Sequence, residues 1–114
     1  MADHPERHDD AIGLLEWLVS VRPDDTEDWL LTLNDLSRLL RGARRLARAA
    51  EVLLQALGGW ERHRGPDDQN TLSAAHNLAV VLIDLGRADD ARGLLHNTVA
   101  RRARVLGPSS RHGP

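Results

Sequence analysis

Residues 65–108, GPDDQNTLSAAHNLAVVLIDLGRADDARGLLHNTVARRARVLGP, read as two amphipathic helices joined by a tight turn at Leu85-Gly86-Arg87. Their apolar residues recur at helical spacing rather than at the alternation of a strand. On the first helix, over 68–85, the stripe is Leu72, Ala75, Leu78, Ala79, Leu82 and Leu85. Asp67 or Asp68 serves as its N-terminal cap and Gly86 as its stop. On the second, over 88–106, the stripe is Ala88, Ala91, Leu94, Leu95, Thr98, Val99, Val105 and Leu106, ahead of Gly107-Pro108. Leu on one helix facing a small Ala91 on the next is what a closely packed helical hairpin needs.

Sliding the chain against itself by 42 residues lays this hairpin on the segment before it. Leu30, Leu36, Leu40, Arg45, Ala49, Leu53 and Arg62 meet Leu72, Leu78, Leu82, Arg87, Ala91, Leu95 and Arg104. Asp25 meets Asp67, each just ahead of a helix start. The earlier unit, 23–64, has a helix over 26–41 with Leu30, Leu33, Leu36 and Leu40 as its stripe. Asp24, Asp25, Thr26, Glu27 and Asp28 at its start cap free N–H groups and complement the positive end of the helix dipole. A further helix over 44–62 carries Leu46, Ala49, Val52, Leu53, Ala56, Leu57 and Trp60, with Gly58-Gly59 marking a bend or an end. Further out, DDAIGLL at 9–15 returns as DDARGLL at 89–95. A leading helix over 6–21, apolar at Ala11, Leu14, Leu15, Leu18 and Val19, therefore matches the second helix of a unit. The expectation is an all-α chain of five helices, a leading helix and two hairpins, in one domain spanning 1–114.

The second hairpin resembles a tetratricopeptide repeat of the long kind found in kinesin light chains and many bacterial proteins. The landmarks are GPDD before the first helix, TL at 71–72, HNLA at 76–79, LGR at 85–87, Ala91, LL at 94–95 and VLGP at 105–108. Residues 23–64 follow the pattern more loosely, through LNDL at 33–36, RRLARAAEVLL at 44–54 and WERHRGPDD leading into the next unit. The resemblance implies a short right-handed α-solenoid, divided into a leading helix at 6–21, repeats at 23–64 and 65–106, and a flexible tail at 107–114. Three departures stand out. Trp29 sits where the family usually has Thr. Ala43-Arg44-Arg45 replaces the Leu-Gly-Arg turn, with Gly42 expected to supply the turn early. Leu46 and Ala88 stand where an aromatic usually follows that turn, which leaves less packing between paired helices.

What the resemblance implies about function is protein binding, with no chemistry of its own and no cofactor. Such repeats bind extended peptides on a concave face lined by the first helix of each pair. Position by position, that face carries Leu31, Asn34, Asp35, Arg38 and Arg41 from the first hairpin, and Ser73, His76, Asn77, Val80 and Asp84 from the second. Asn side chains donate to and accept from a peptide backbone at once. Arg38 and Arg41, three apart on one helical face, fork onto a carboxylate, which makes an acidic peptide the expected ligand. The family's clamp for a chain-terminal carboxylate is not intact, because Asp35 occupies a usual Asn position. The same positions also fit the solvated polar face of an ordinary helix.

Composition excludes more than it selects. The chain has 114 residues, 41% hydrophobic and 28% charged, with a net charge of −2. It has no Cys, Phe, Tyr or Lys, and all 15 basic residues are Arg. Absence of Cys removes disulfides, thiolate metal sites and cysteine nucleophiles. Charge runs in blocks: residues 1–35 sum to −8, 36–64 to +5, 65–98 to −3 and 99–114 to +4. The cluster Arg38, Arg41, Arg44, Arg45 and Arg48 raises a nucleic-acid reading, but without Lys or interleaved aromatics it fits a solvated face pairing with the acidic N-terminal block. His4 and His8 are spaced like metal ligands, yet HPERH is not HExxH and an incidental pair is the expectation. No nucleophile elbow and no phosphate loop is present. Trp17, Trp29 and Trp60 read as core or hairpin-junction residues. The N-terminal MADHPERHDD is polar and no segment is apolar enough to span a bilayer, so the expectation is a cytoplasmic protein.

Repeat hairpins bury their apolar faces on one another, and about three are normally needed. Two hairpins and a leading helix fall short of that. The open apolar end of the second hairpin is therefore expected to meet another copy of the chain or a dedicated partner. Acidic and basic ends are compatible with head-to-tail contact.

Overall fold

A computed structural model describes residues 5–21 and 26–112, with side chains described over 9–21 and 26–100. Five helices follow in order: α1 (Pro5–Val21), α2 (Glu27–Gly42), α3 (Leu46–Arg64), α4 (Gln69–Asp84) and α5 (Ala88–His112). No strand occurs among the described residues. The capping chemistry foreseen for α2 and α4 is in place. Trp29 N–H donates to Thr26 Oγ1 at 3.2 Å, and Asn70 N–H to an Asp68 carboxylate oxygen at 2.9 Å. The acids at 24 and 25 lie outside the described residues.

Two boundaries differ from the sequence expectation. Gly58-Gly59 neither ends α3 nor interrupts its helix, which runs on to Arg64 with Gly59 buried in the core-facing stripe. Helix α5 likewise continues through Gly107-Pro108 to His112.

Each helix packs on the one before and the one after it in the chain. That serial arrangement is a solenoid, and it makes the molecule long: its radius of gyration is 16.0 Å, against about 13 Å for a compact domain of this length. The extents of 56 × 32 × 23 Å describe the same shape. Leu30, Leu33, Leu36 and Leu40 of α2 are all buried, as the 42-residue stripe requires. They meet Ala49, Val52, Leu53, Ala56, Leu57 and Trp60 of α3, and the core continues through Ala75, Leu78, Ala79 and Leu82 of α4 to Ala91 of α5. Val81, Ala74 and Thr71, outside the expected stripe, are buried as well, because α4 is enclosed by α3 and α5 on two sides.

Helix α1 is turned relative to the expectation. Its buried residues are Ile12 and Val19, with Leu15 half-buried, while Leu14 and Leu18 face outward. Nearly every turn of α1 carries apolar residues on two sides, so its sequence alone does not select a face. Trp29 and two ion pairs make the choice. The Trp29 indole N–H donates to the Val19 carbonyl at 3.0 Å, tying α2 to the end of α1. One repeat later, Thr71 sits at the equivalent position, and its hydroxyl donates to the Gly65 carbonyl at 2.8 Å, at the end of α3. A Trp has therefore taken over the Thr's task of anchoring a repeat to the helix before it. Trp60 is buried as expected, whereas Trp17 is 58% exposed and belongs to neither core nor junction.

The turns inside the two hairpins, α2–α3 and α4–α5, are copies of each other. In the first, Arg44 N–H donates to the Arg41 carbonyl at 3.0 Å and Arg45 N–H to the Leu40 carbonyl at 2.8 Å. In the second, Gly86 N–H donates to the Ile83 carbonyl at 2.9 Å and Arg87 N–H to the Leu82 carbonyl at 2.8 Å. Both turns need a left-handed residue. Gly86 supplies it at φ 81°, and Arg44 supplies it at φ 62°. Gly42, expected to make the turn, is instead the last helical residue of α2.

Candidate functional site

Helices α2 and α4 are the first helices of their pairs, and between them lies a groove of about 910 Å³. Its walls bring together seven of the ten residues proposed for ligand contact: Leu31, Asn34, Asp35, Arg38, Arg41, Asn77 and Asp84. The helical stripe that buries Leu33, Leu36 and Leu40 leaves the opposite positions of α2 for the groove. Ser73, His76 and Val80 of α4 do not line it: Ser73 and His76 are exposed and Val80 is half-buried. Ser37, Gly42, Arg44 and Leu53 complete the lining. Of these, Arg44 belongs to the turn and to the arginine cluster of the sequence, and an Arg in a turn carries no helical register to place it in the groove.

The groove is polar and internally braced. Arg41 Nε lies 3.5 Å from an Asp84 carboxylate oxygen, an ion pair that links α2 to α4 across the opening. Arg38 pairs with Asp35 on its own helix. Leu31 is 48% exposed and gives the groove an apolar contact point. The Asn34 side-chain oxygen is buried with no hydrogen-bond partner among the described residues.

Two more arginines of the cluster, Arg45 and Arg48, are engaged with α1. Arg45 pairs with Asp9, and Arg48 forks onto Glu16 at 2.6 and 3.0 Å while also reaching Glu51 at 3.1 Å. The Arg48 guanidinium holds the Glu16 carboxyl below the usual carboxylate range and is itself held protonated to higher pH. Arg64 forks onto Glu27 at 2.6 and 2.9 Å, joining the end of α3 to the start of α2 and lowering the Glu27 carboxyl in the same way. Acids of the N-terminal block thus pair with Arg45, Arg48 and Arg64.

Two apolar surfaces lie away from the groove. On α1, Leu14, Trp17, Leu18 and Val21 form one exposed ridge at helical spacing. At the other end, Ile83, Ala88, Ala91, Leu95 and Val99 line a cleft of about 550 Å³, with Arg92 and His96 at its edge. Among the described residues no cluster of three His, Cys, Asp or Glu is placed to hold a metal. His4 and the His8 side chain lie outside them. No helix, among the described residues, is long and apolar enough to cross a membrane.

A family model described as tetratricopeptide repeat matches the chain twice in succession, at residues 29–70 and 71–112. The chain belongs to the tetratricopeptide repeat family. The two matched units have the 42-residue period seen in the sequence and begin at Trp29 and Thr71, the two residues that anchor each unit to the preceding helix. Tetratricopeptide repeats generally mediate protein–protein interaction and typically act without catalysis. No curated protein matches the chain significantly.

Proposed function

We propose that this tetratricopeptide repeat chain acts as an adaptor or regulator that binds an extended, acidic peptide in the groove between α2 and α4. The observation that carries the reading is the convergence there of Asn34, Asn77, Arg38, Arg41 and Arg44 around one opening of about 910 Å³. The two amides read a peptide backbone, and the guanidinium groups meet its carboxylates. Asp35 and Asp84, each already paired with an Arg, set the register by repelling acids placed opposite them. Ser73, His76 and Val80 extend the same helix outside the groove and are outlying contacts for a longer peptide.

The test is fluorescence anisotropy with a labelled Glu-rich peptide. Arg41→Glu removes the bracing pair and reverses the charge, and it weakens binding at least tenfold; Asn77→Ala weakens it several-fold. Circular dichroism should remain native for both. Unchanged affinity in both variants contradicts the groove.

A second reading, assembly with another copy of the chain, is favoured by one specific observation. The exposed apolar ridge of α1 and the apolar cleft beside α5 lie on helices that resemble each other in sequence, at opposite ends of the solenoid. Under that reading the groove is unused and binding partners collect on α1 and α5.

A further inference from the structure

Arg44 is the one member of the Arg38, Arg41, Arg44, Arg45, Arg48 cluster with no ion pair among the described residues. It also holds a backbone conformation that favours glycine, at φ 62°. The fold has no need of a side chain there. The second turn makes the same hydrogen bonds with Gly86 at the equivalent position. Left-handed backbone at a non-glycine residue is uncommon and costly, and it concentrates where a side chain is used for something other than folding. The Arg44 side chain lines the groove, and its neighbours Arg38 and Arg41 already have carboxylate partners.

We infer that Arg44 is the anion-recognition residue of the groove, a free guanidinium held over the mouth of the α2–α3 turn to take an acidic side chain of the bound peptide. The inference rests on the groove reading and assigns the charge selectivity within it. Arg38 and Arg41 can meet a ligand carboxylate only by sharing with, or giving up, Asp35 and Asp84. Arg44 gives up nothing. Its donors are the ones that convert an incoming carboxylate, or a phosphoryl group on the same peptide, into net binding free energy.

Two substitutions separate charge from conformation. Arg44→Gly removes the guanidinium and restores the residue the turn favours; Arg44→Gln removes the charge and keeps the left-handed side chain. Labelled peptides containing Glu, Gln or phosphoserine at one central position are titrated into the native chain and both variants. The expected result is about a tenfold loss of Glu-peptide affinity in both variants, no change for the Gln peptide, and a raised Tm in Arg44→Gly alone. A phosphoserine peptide that binds more tightly than the Glu peptide and loses more in the variants identifies a phosphoryl group as the anion. Native-like Glu-peptide affinity in both variants overturns the role of Arg44 while leaving the groove standing, provided Arg41→Glu still weakens binding. Equal losses for the Glu and Gln peptides overturn it too. A native chain that binds none of the peptides removes the groove reading together with this one.

Discussion

Trp29 and Thr71 show how one structural task survives a change of chemistry. Each donates one hydrogen bond to a carbonyl at the end of the preceding helix, at 3.0 and 2.8 Å. Trp29→Phe keeps the ring and deletes the donor; Thr71→Val keeps the shape and deletes the hydroxyl. Each substitution should cost about 1 kcal/mol, and at Gly65 the carbonyl keeps the Asp68 N–H at 3.4 Å as a second donor. Urea denaturation of the two variants measures both. Trp29 was visible in the sequence as a departure from the family pattern, but its purpose was not, since nothing in a sequence tells which carbonyl an indole will reach. The left-handed conformation of Arg44 is not legible in the sequence for a related reason. Gly42 stood two places away and looked the better turn residue, yet the helix carries on through Gly42 and the strain falls on Arg44.

At the level of the helices, the stripes of α2, α3 and α4 were legible because burial there follows local periodicity and the 42-residue repeat states it twice. Seven of the ten candidate contact residues came together in the groove for the same reason: positions opposite a buried stripe share a face. The buried face of helix α1 is not legible in the sequence because the helix is apolar on two sides, and what orients it is long-range. Glu16 on Arg48 and Asp9 on Arg45 join residues more than thirty positions apart, beyond the reach of any local pattern. The Glu16 carboxyl is lowered by Arg48, so the pair's contribution is present above the ordinary carboxylate range and is lost as pH falls through the lowered folded value. Both partners are partly open to solvent, which limits the contribution of the pair to about 0.5–1 kcal/mol. Glu16→Gln should therefore destabilise the chain by that amount at neutral pH. Below the lowered folded value, where the carboxyl is protonated in both states, the variant and the native chain should be equally stable. A difference that persists in acid would place the effect in packing instead of charge.

The whole molecule is a thin solenoid, packed with Leu and Ala, in which every helix depends on its neighbours in the chain. Such a structure offers three kinds of surface: a polar groove along the first helices, an apolar ridge at α1 and an apolar cleft at α5. Which of them receives a partner is the central question, and Arg44, unpaired among the described residues and lining the groove, points to the groove. The direct measurement is a heteronuclear NMR titration of the isotope-labelled chain with an unlabelled Glu-rich peptide. Binding in the groove predicts amide shifts clustered at Leu31, Asn34, Arg41, Arg44 and Asn77, with the α1 ridge unmoved. Shifts confined to Leu14, Trp17, Leu18 and Val99, or no shifts at all, contradict it.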